Sequence, residues 1–267
     1  MAAARSLMTG YTLYTDDHSG FTLPGFIVGE TNGRRNTIVD EFGIEHRDIL
    51  LVERWTYRLA PYFDYGWAGA SHVNAGAEAV EDAIRSSPPG GEDYTFQYLV
   101  SVIPSFGYNV DFVGGNYKVN ASDFNILTGN TTANPLHPSA GNTLLRVDNA
   151  VNPSGQIVFA PARYVEPGTT FAIEGGLRVE LPRLGAEYQE QLALRAAGDS
   201  TTPPTSLNTP EDYGYIHARH AGQGVVGLLD GSADRLSPDD FLDATRWSDR
   251  AARLSDPNWR PDHPRYQ

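Results

Sequence analysis

His217-Ala218-Arg219-His220-Ala221-Gly222-Gln223-Gly224-Val225-Val226-Gly227-Leu228-Leu229-Asp230-Gly231-Ser232-Ala233-Asp234-Arg235-Leu236-Ser237 is the stretch that decides the fold. The apolar run Val225 to Leu229 reads as a buried strand. It turns sharply at Asp230-Gly231 into a more exposed partner strand, Ser232 to Leu236. Asp-Gly between two such runs is a strong hairpin signal, because a type I′ turn needs positive φ at both central residues. The same stretch invites a second reading. A strand that ends in Asp, with His220 one strand-length upstream, could carry a base and its orienting acid, or a metal.

Composition narrows the choice. A chain of 267 residues supports a substantial core. Its 40% hydrophobic residues, with 11% aromatics, are those of a folded globule. Gly and Pro number 27 and 18, so turns and loops are expected in quantity. The net charge of −13 argues against nucleic acid and against anionic lipid, both of which need a basic face. Cysteine is absent, which excludes disulfides, thiolate catalysis and zinc-thiolate or iron–sulfur sites. No apolar run approaches the ~20 residues that span a bilayer.

The chemical reading of His220 and Asp230 lacks a partner. Hydrolysis needs a nucleophile, and no Gly-x-Ser-x-Gly elbow occurs. No glycine-rich loop opens a helix in the manner of a nucleotide site, and there is no P-loop lysine. The chain is therefore expected to be non-enzymatic. Asp230, Ser232 and Asp234 place oxygen side chains at alternate positions, as a calcium loop does. The sixth position is Arg235 and the twelfth Phe241, so an EF-hand is excluded and only an irregular calcium site remains as a candidate. Asp239-Asp240 follows Ser237-Pro238 and is better explained as a helix start, with Ser capping, Pro in the first turn and acids against the dipole. Asn120 and Asn130 open glycosylation sequons within an Asn/Thr-rich stretch.

Outward from the hairpin, residues 2–15 read as an amphipathic helix with Ala4, Leu7 or Met8, Tyr11 and Tyr14 on one face, broken by Gly20. Residues 54–63 form a second amphipathic piece with Trp55, Leu59 and Tyr62 on one face, limited by Pro61. Residues 75–86 and 186–197 are expected to be helical. Residues 96–103 and 157–160 read as strands. Residues 110–150 and 165–210 are loop-rich insertions, the latter ending in a Thr/Pro linker at 200–210. The tail after Phe241 is polar and Pro-rich and is expected to wrap the surface.

Taken together, these segments resemble the bacterial prepilin-like proteins that carry a C-terminal H-x(9)-D-G domain, of the planctomycete and verrucomicrobial type. His220, Asp230 and Gly231 match its signature. Ala4-Arg5-Ser6-Leu7, Tyr14 through Gly20, and Leu23-Pro24-Gly25 resemble the segment after the family's hydrophobic helix. Trp55 with Leu59-Ala60-Pro61-Tyr62, and Phe106-Gly107-Tyr108-Asn109, are similar to its internal islands. Residues 110–150 and 165–210 match no part of it. Gly20-Phe21-Thr22-Leu23 imitates a prepilin cleavage string, but Gly25 stands where a Glu is needed and Glu30 interrupts the apolar run, so it is not a processing site.

The resemblance implies an α+β, pilin-like fold, with an N-terminal helix packed on an antiparallel β-sheet. Residues 1–20 would be the C-terminal part of the pilin-type helix, lacking the leader and hydrophobic half that would anchor it. Residues 21–267 would be one globular head. Export to the cell envelope, the periplasm or beyond, is implied, by a type II secretion or type IV pilus-like machine. The implied partners are other pilin or pseudopilin subunits or the secretion machinery, and any contact with a membrane would run through the absent half-helix. No cofactor is implied. An alternative is an extracellular module that binds carbohydrate or another ligand through its Tyr- and Trp-rich loops. A calcium-dependent envelope protein is a second.

Overall fold

A computed structural model describes residues 1–28, 38–39, 43, 45–46, 54–73, 78, 82, 100–119, 124–126, 142–165, 172–173, 175–182 and 214–261. The elements in chain order are α1 (Ala2–Asp17), β1 (Phe26–Val28), β2 (Ile38–Val39), β3 (Glu45–His46), α2 (Trp55–Leu59), β4 (Phe106–Tyr108), β5 (Asn116–Val119), β6 (Phe124–Ile126), β7 (Ile157–Pro161), β8 (Tyr164–Val165), β9 (Ala172–Ile173), β10 (Gly224–Leu228), β11 (Ala233–Leu236), α3 (Pro238–Leu242) and α4 (Asp249–Leu254). The protein is α+β. Its main sheet is antiparallel and four-stranded, in the order β11-β10-β7-β4.

The expected hairpin is present, with β10 and β11 paired antiparallel from Gly224↔Leu236 to Gly227↔Ala233. Every residue of β10 is buried because the sheet is covered on both faces. Val225 and Leu229 join α1 on one side, while Val226 and Leu228 join the C-terminal segment on the other. Between Gly227 and Leu228 the pairing with β7 slips from Phe159 to Ile157. Val158 is thus the extra residue of a bulge, which turns both Val158 and Phe159 toward α1.

α1 buries Ala4, Leu7, Met8, Tyr11 and Tyr14, the expected face. Tyr11 meets Phe159 edge-on at 5.9 Å, and Trp55 lies 5.0 Å from the same ring. The helix ends differently from the expectation. Ser19, at φ +55°, takes the left-handed position, and Gly20 follows it. The Gly20 N–H donates to the Thr15 carbonyl (2.7 Å) and the Ser19 N–H to Asp16 (3.2 Å), which closes a Schellman motif. α2 stops at Leu59, and a 3₁₀ turn over Ala60–Phe63 carries Pro61 at its start.

Two expectations are corrected, those for the tail and for residues 96–103, and two loop-rich stretches carry short strands. The tail is not a surface wrap: Phe241, Ala244, Trp247 and Ala251 are fully buried and form the layer under the sheet. Within the loop-rich residues 110–150, β5 pairs with β1 in parallel and with β6 antiparallel, in a three-stranded sheet. Of the expected strand 96–103, residues 100–102 are helical. There Val100 packs with Tyr57, Ala60 and Trp67, so its apolar character serves packing rather than strand pairing. Residues 165–210 include the β8–β9 pair and a segment at 175–182 that buries Val179 and Leu181.

Of residues 75–86, Glu78 and Asp82 are described, and both are helical. The expected helix 186–197, the linker 200–210 and both sequons lie outside the described residues.

Candidate functional site

The hairpin turn is not type I′. Positive φ occurs at Gly231 (+89°) and not at Asp230. The Gly231 N–H donates to the Leu228 carbonyl (2.9 Å) and the Leu228 N–H to Ser232 (2.9 Å), leaving a three-residue loop, Leu229-Asp230-Gly231. In such loops one left-handed glycine closes a turn whose preceding residues stay at negative φ. Asp230 Oδ1 accepts from the Ser232 N–H (2.9 Å) and hydroxyl (2.6 Å), an Asx arrangement that pre-sets the turn.

The two-residue turn lies at the other end of the strand. Ala221 (φ +53°) and Gly222 (+81°) are both left-handed. His220 and Gln223 flank them and exchange two hydrogen bonds of 3.1 Å. His220 and Asp230 thus mark opposite ends of the five-residue β10, on the order of 15 Å apart. The structure does not bring them together. Partial burial, followed by the cations of Arg219 and Arg235, pushes the exposed His220 imidazole below its usual value.

Of the calcium candidates, the structure joins Asp230 to Ser232, whereas Asp234 Oδ1 accepts from the Arg235 N–H (2.7 Å). All three candidates are exposed. Among the described residues, no group of three or more His, Asp or Glu is placed to hold a metal. Asp240 does cap α3, completing a capping box with Ser237. Burial raises its carboxyl, but bonds from Ser237 and the guanidinium of Arg246 outweigh that and hold it below the usual carboxylate range.

Other polar groups converge elsewhere. At the far edge of the sheet, Arg178 pairs with the buried Glu180 (3.0 Å) and lies 5.3 Å from the Tyr215 ring. Beside it, Arg219 donates to the Ala162 carbonyl (2.9 Å). Arg178 thus joins residues 175–182 to Tyr215, and Arg219 ties residues 214–219 to the end of β7. In the α2 region, Ser71 and His72 are fully buried, 2.9 Å apart between Oγ and Nδ1. Among the described residues His72 Nε2 has no hydrogen-bond partner, and burial pushes the imidazole down to about 4.

One open cleft, of about 300 Å³, lies between residues 142–149 and α4. Asn142, Thr143, Leu144, Leu145, Asn149, Asp249, Arg250 and Arg253 line it. Asp249 holds it together, accepting from Arg253 Nε (2.6 Å) and from the Val151 N–H (2.8 Å). Sequence reasoning missed this site. Its one legible signal is the Asp249/Arg253 spacing on a helix, which reads as an ordinary ion pair. His72 carries no sequence signal at all.

The tryptophans that could have lined a glycan face are mostly used in packing, with Trp55, Trp67 and Trp247 buried. No family model matches the chain, and neither a curated protein nor a solved structure matches it.

Proposed function

We propose that this protein is a structural subunit, the globular head of a type IV pilin-like or type II secretion pseudopilin-like protein, acting at the cell envelope without catalysis. The observation that supports the reading is the seating of α1. One face of the helix, Ala4 to Tyr14, lies across β7 and β10 of the antiparallel sheet, while Arg5, Thr9 and Leu13 face solvent. Gly227 lets the helix approach: a Cβ there would stand 2.5 Å from Met8 Sδ. A head domain built this way presents a rigid helix edge to neighbouring subunits. Separation of His220 from Asp230 by a whole strand fits a scaffold better than a catalytic pair.

None of these 267 residues is a cysteine. A single Leu13→Cys substitution, made in the native gene and compared with the unsubstituted protein, places a thiol on the exposed side of α1 (46% exposed). Envelope fractionation and mild oxidation in the source cells should give an envelope-bound protein with cross-linked species. Recovery only from the cytoplasm as an uncross-linked monomer would overturn the reading.

A further inference from the structure

The cleft beside α4 has a charge balance unlike that of the chain as a whole. Two guanidinium groups and one carboxylate line it, within a protein of net charge −13. The carboxylate of Asp249 is already neutralised by Arg253 at 2.6 Å. Arg253 also donates to the Asn149 carbonyl, so it is committed to holding the two walls together. That leaves Arg250, which is exposed and has no ion pair among the described residues. Asn142 and Asn149 line the same cleft, and among the described residues their side-chain amides have no hydrogen-bond partner. Leu145, half-buried, supplies the accessible apolar side chain of the lining, whereas Leu144 is buried in the core beneath it.

Each feature selects a property of the occupant. A lone guanidinium facing solvent takes a carboxylate, which it can bind through two parallel hydrogen bonds. Carboxamides donate and accept at once, and so match hydroxyl groups. The half-buried Leu145 suits the C–H face of a ring. A volume at the lower end of the range for ligand sites, roughly 300–1,000 Å³, admits one small polar ring and not a dinucleotide-sized cofactor. We propose that the cleft binds a uronate-type sugar residue, with its carboxylate on Arg250, its hydroxyls on Asn142 and Asn149, and its ring against Leu145. This site is independent of the pilin-like reading and could serve a head domain of any export route.

The test is an amide-resolved NMR titration of the whole chain with methyl glucuronoside, methyl glucoside, acetate and inorganic phosphate, each in the millimolar range. The expected result is saturable shifts at Asn142, Asn149 and Arg250 with the glucuronoside, and much weaker shifts with the other three. Arg250→Ala should weaken glucuronoside binding about tenfold, the usual worth of a charge-assisted hydrogen bond. Its spectrum away from the cleft should stay unchanged, because the side chain is exposed and has no ion pair among the described residues. Asn142→Ala should weaken binding without creating any preference for acetate. The proposal fails if the cleft does not respond, if the glucoside binds as well as the glucuronoside, if phosphate or acetate alone binds as tightly, or if Arg250→Ala binds normally.

Discussion

Gly227 on β10 lies directly against Met8 on α1. A Cβ at 227 would sit 2.5 Å from Met8 Sδ and 2.6 Å from its Cγ, in a core where Met8 is fully buried. Gly227→Ala should therefore destabilise the fold by about 1–3 kcal/mol through overpacking. Met8→Ala alone should cost about 2–5 kcal/mol by leaving a cavity. The double variant should cost clearly less than the sum, because the added methyl enters the space that Met8 leaves. Urea unfolding of the four proteins measures this coupling. Strict additivity would show that the contact is not tight.

Ser19 is a serine in the left-handed position that usually selects glycine, at φ +55°. Ser19→Gly should remove that strain, and should raise stability by up to about 1 kcal/mol against the added freedom of the unfolded chain. Gly231→Ala, at φ +89° in the hairpin loop, should do the reverse by a similar amount. Thermal melts of the pair check both signs, and a melting temperature that falls for Ser19→Gly would refute the Schellman assignment.

His72 gives the fold a pH dependence. Its imidazole is neutral in the folded state because burial pushes it down to about 4, while an unfolded histidine binds its proton near 6.5. The unfolded chain thus binds more protons between those values. Stability is complete above about pH 6.5 and is lost as the pH falls toward about 4, by on the order of 3 kcal/mol. His72→Gln cannot titrate, so its unfolding free energy should vary less with pH across that window than that of the parent. Equal slopes would assign the acid sensitivity to other groups.

The Asp230 carboxylate is engaged with the Ser232 N–H and hydroxyl. Asp230→Ala should cost about 1 kcal/mol by loosening the turn, and Asp230→Asn should recover part of it. A chelator should leave the melting temperature of the parent unchanged. A calcium-dependent rise in that temperature, abolished in Asp230→Ala, would revive the calcium-dependent alternative.

Trp247 links the C-terminal layer to the sheet. It is fully buried, donates from Nε1 to the Phe241 carbonyl (2.9 Å), and its own carbonyl accepts from Asn109 Nδ2 (3.0 Å). Trp247→Ala should cost about 3–5 kcal/mol, as large core truncations do. Limited proteolysis should then cut the tail first. A tail that only wrapped the surface would tolerate the change.

Local patterns that report their own backbone needs were legible in the sequence. The α1 face showed through helical spacing, the β10–β11 hairpin through an apolar run ending in Asp-Gly, and the α3 start through Ser-Pro-Asp-Asp. Each depends on residues within one or two turns of chain, so the chain order suffices. The turn geometry was only half legible. Asp230-Gly231 marked a reversal, but the strand pairing and the Asx bonds set its loop length, while the two adjacent left-handed residues fell at Ala221-Gly222.

What only tertiary structure decided depends on partners distant in sequence. The polar, Pro-rich tail looked like surface because its few apolar residues, Phe241, Ala244, Trp247 and Ala251, are spread thinly. They form a layer only once the far face of β7 and β10 is there to receive them. The cleft exists because Asp249 reaches the Val151 N–H across 98 positions. The burial that holds His72 neutral comes from packing that no local pattern encodes. Sequence determined which segments would turn, coil or pair. The low-dielectric interior that segments build together decided which polar groups stay neutral, which pair, and which, like Arg250, are left facing solvent.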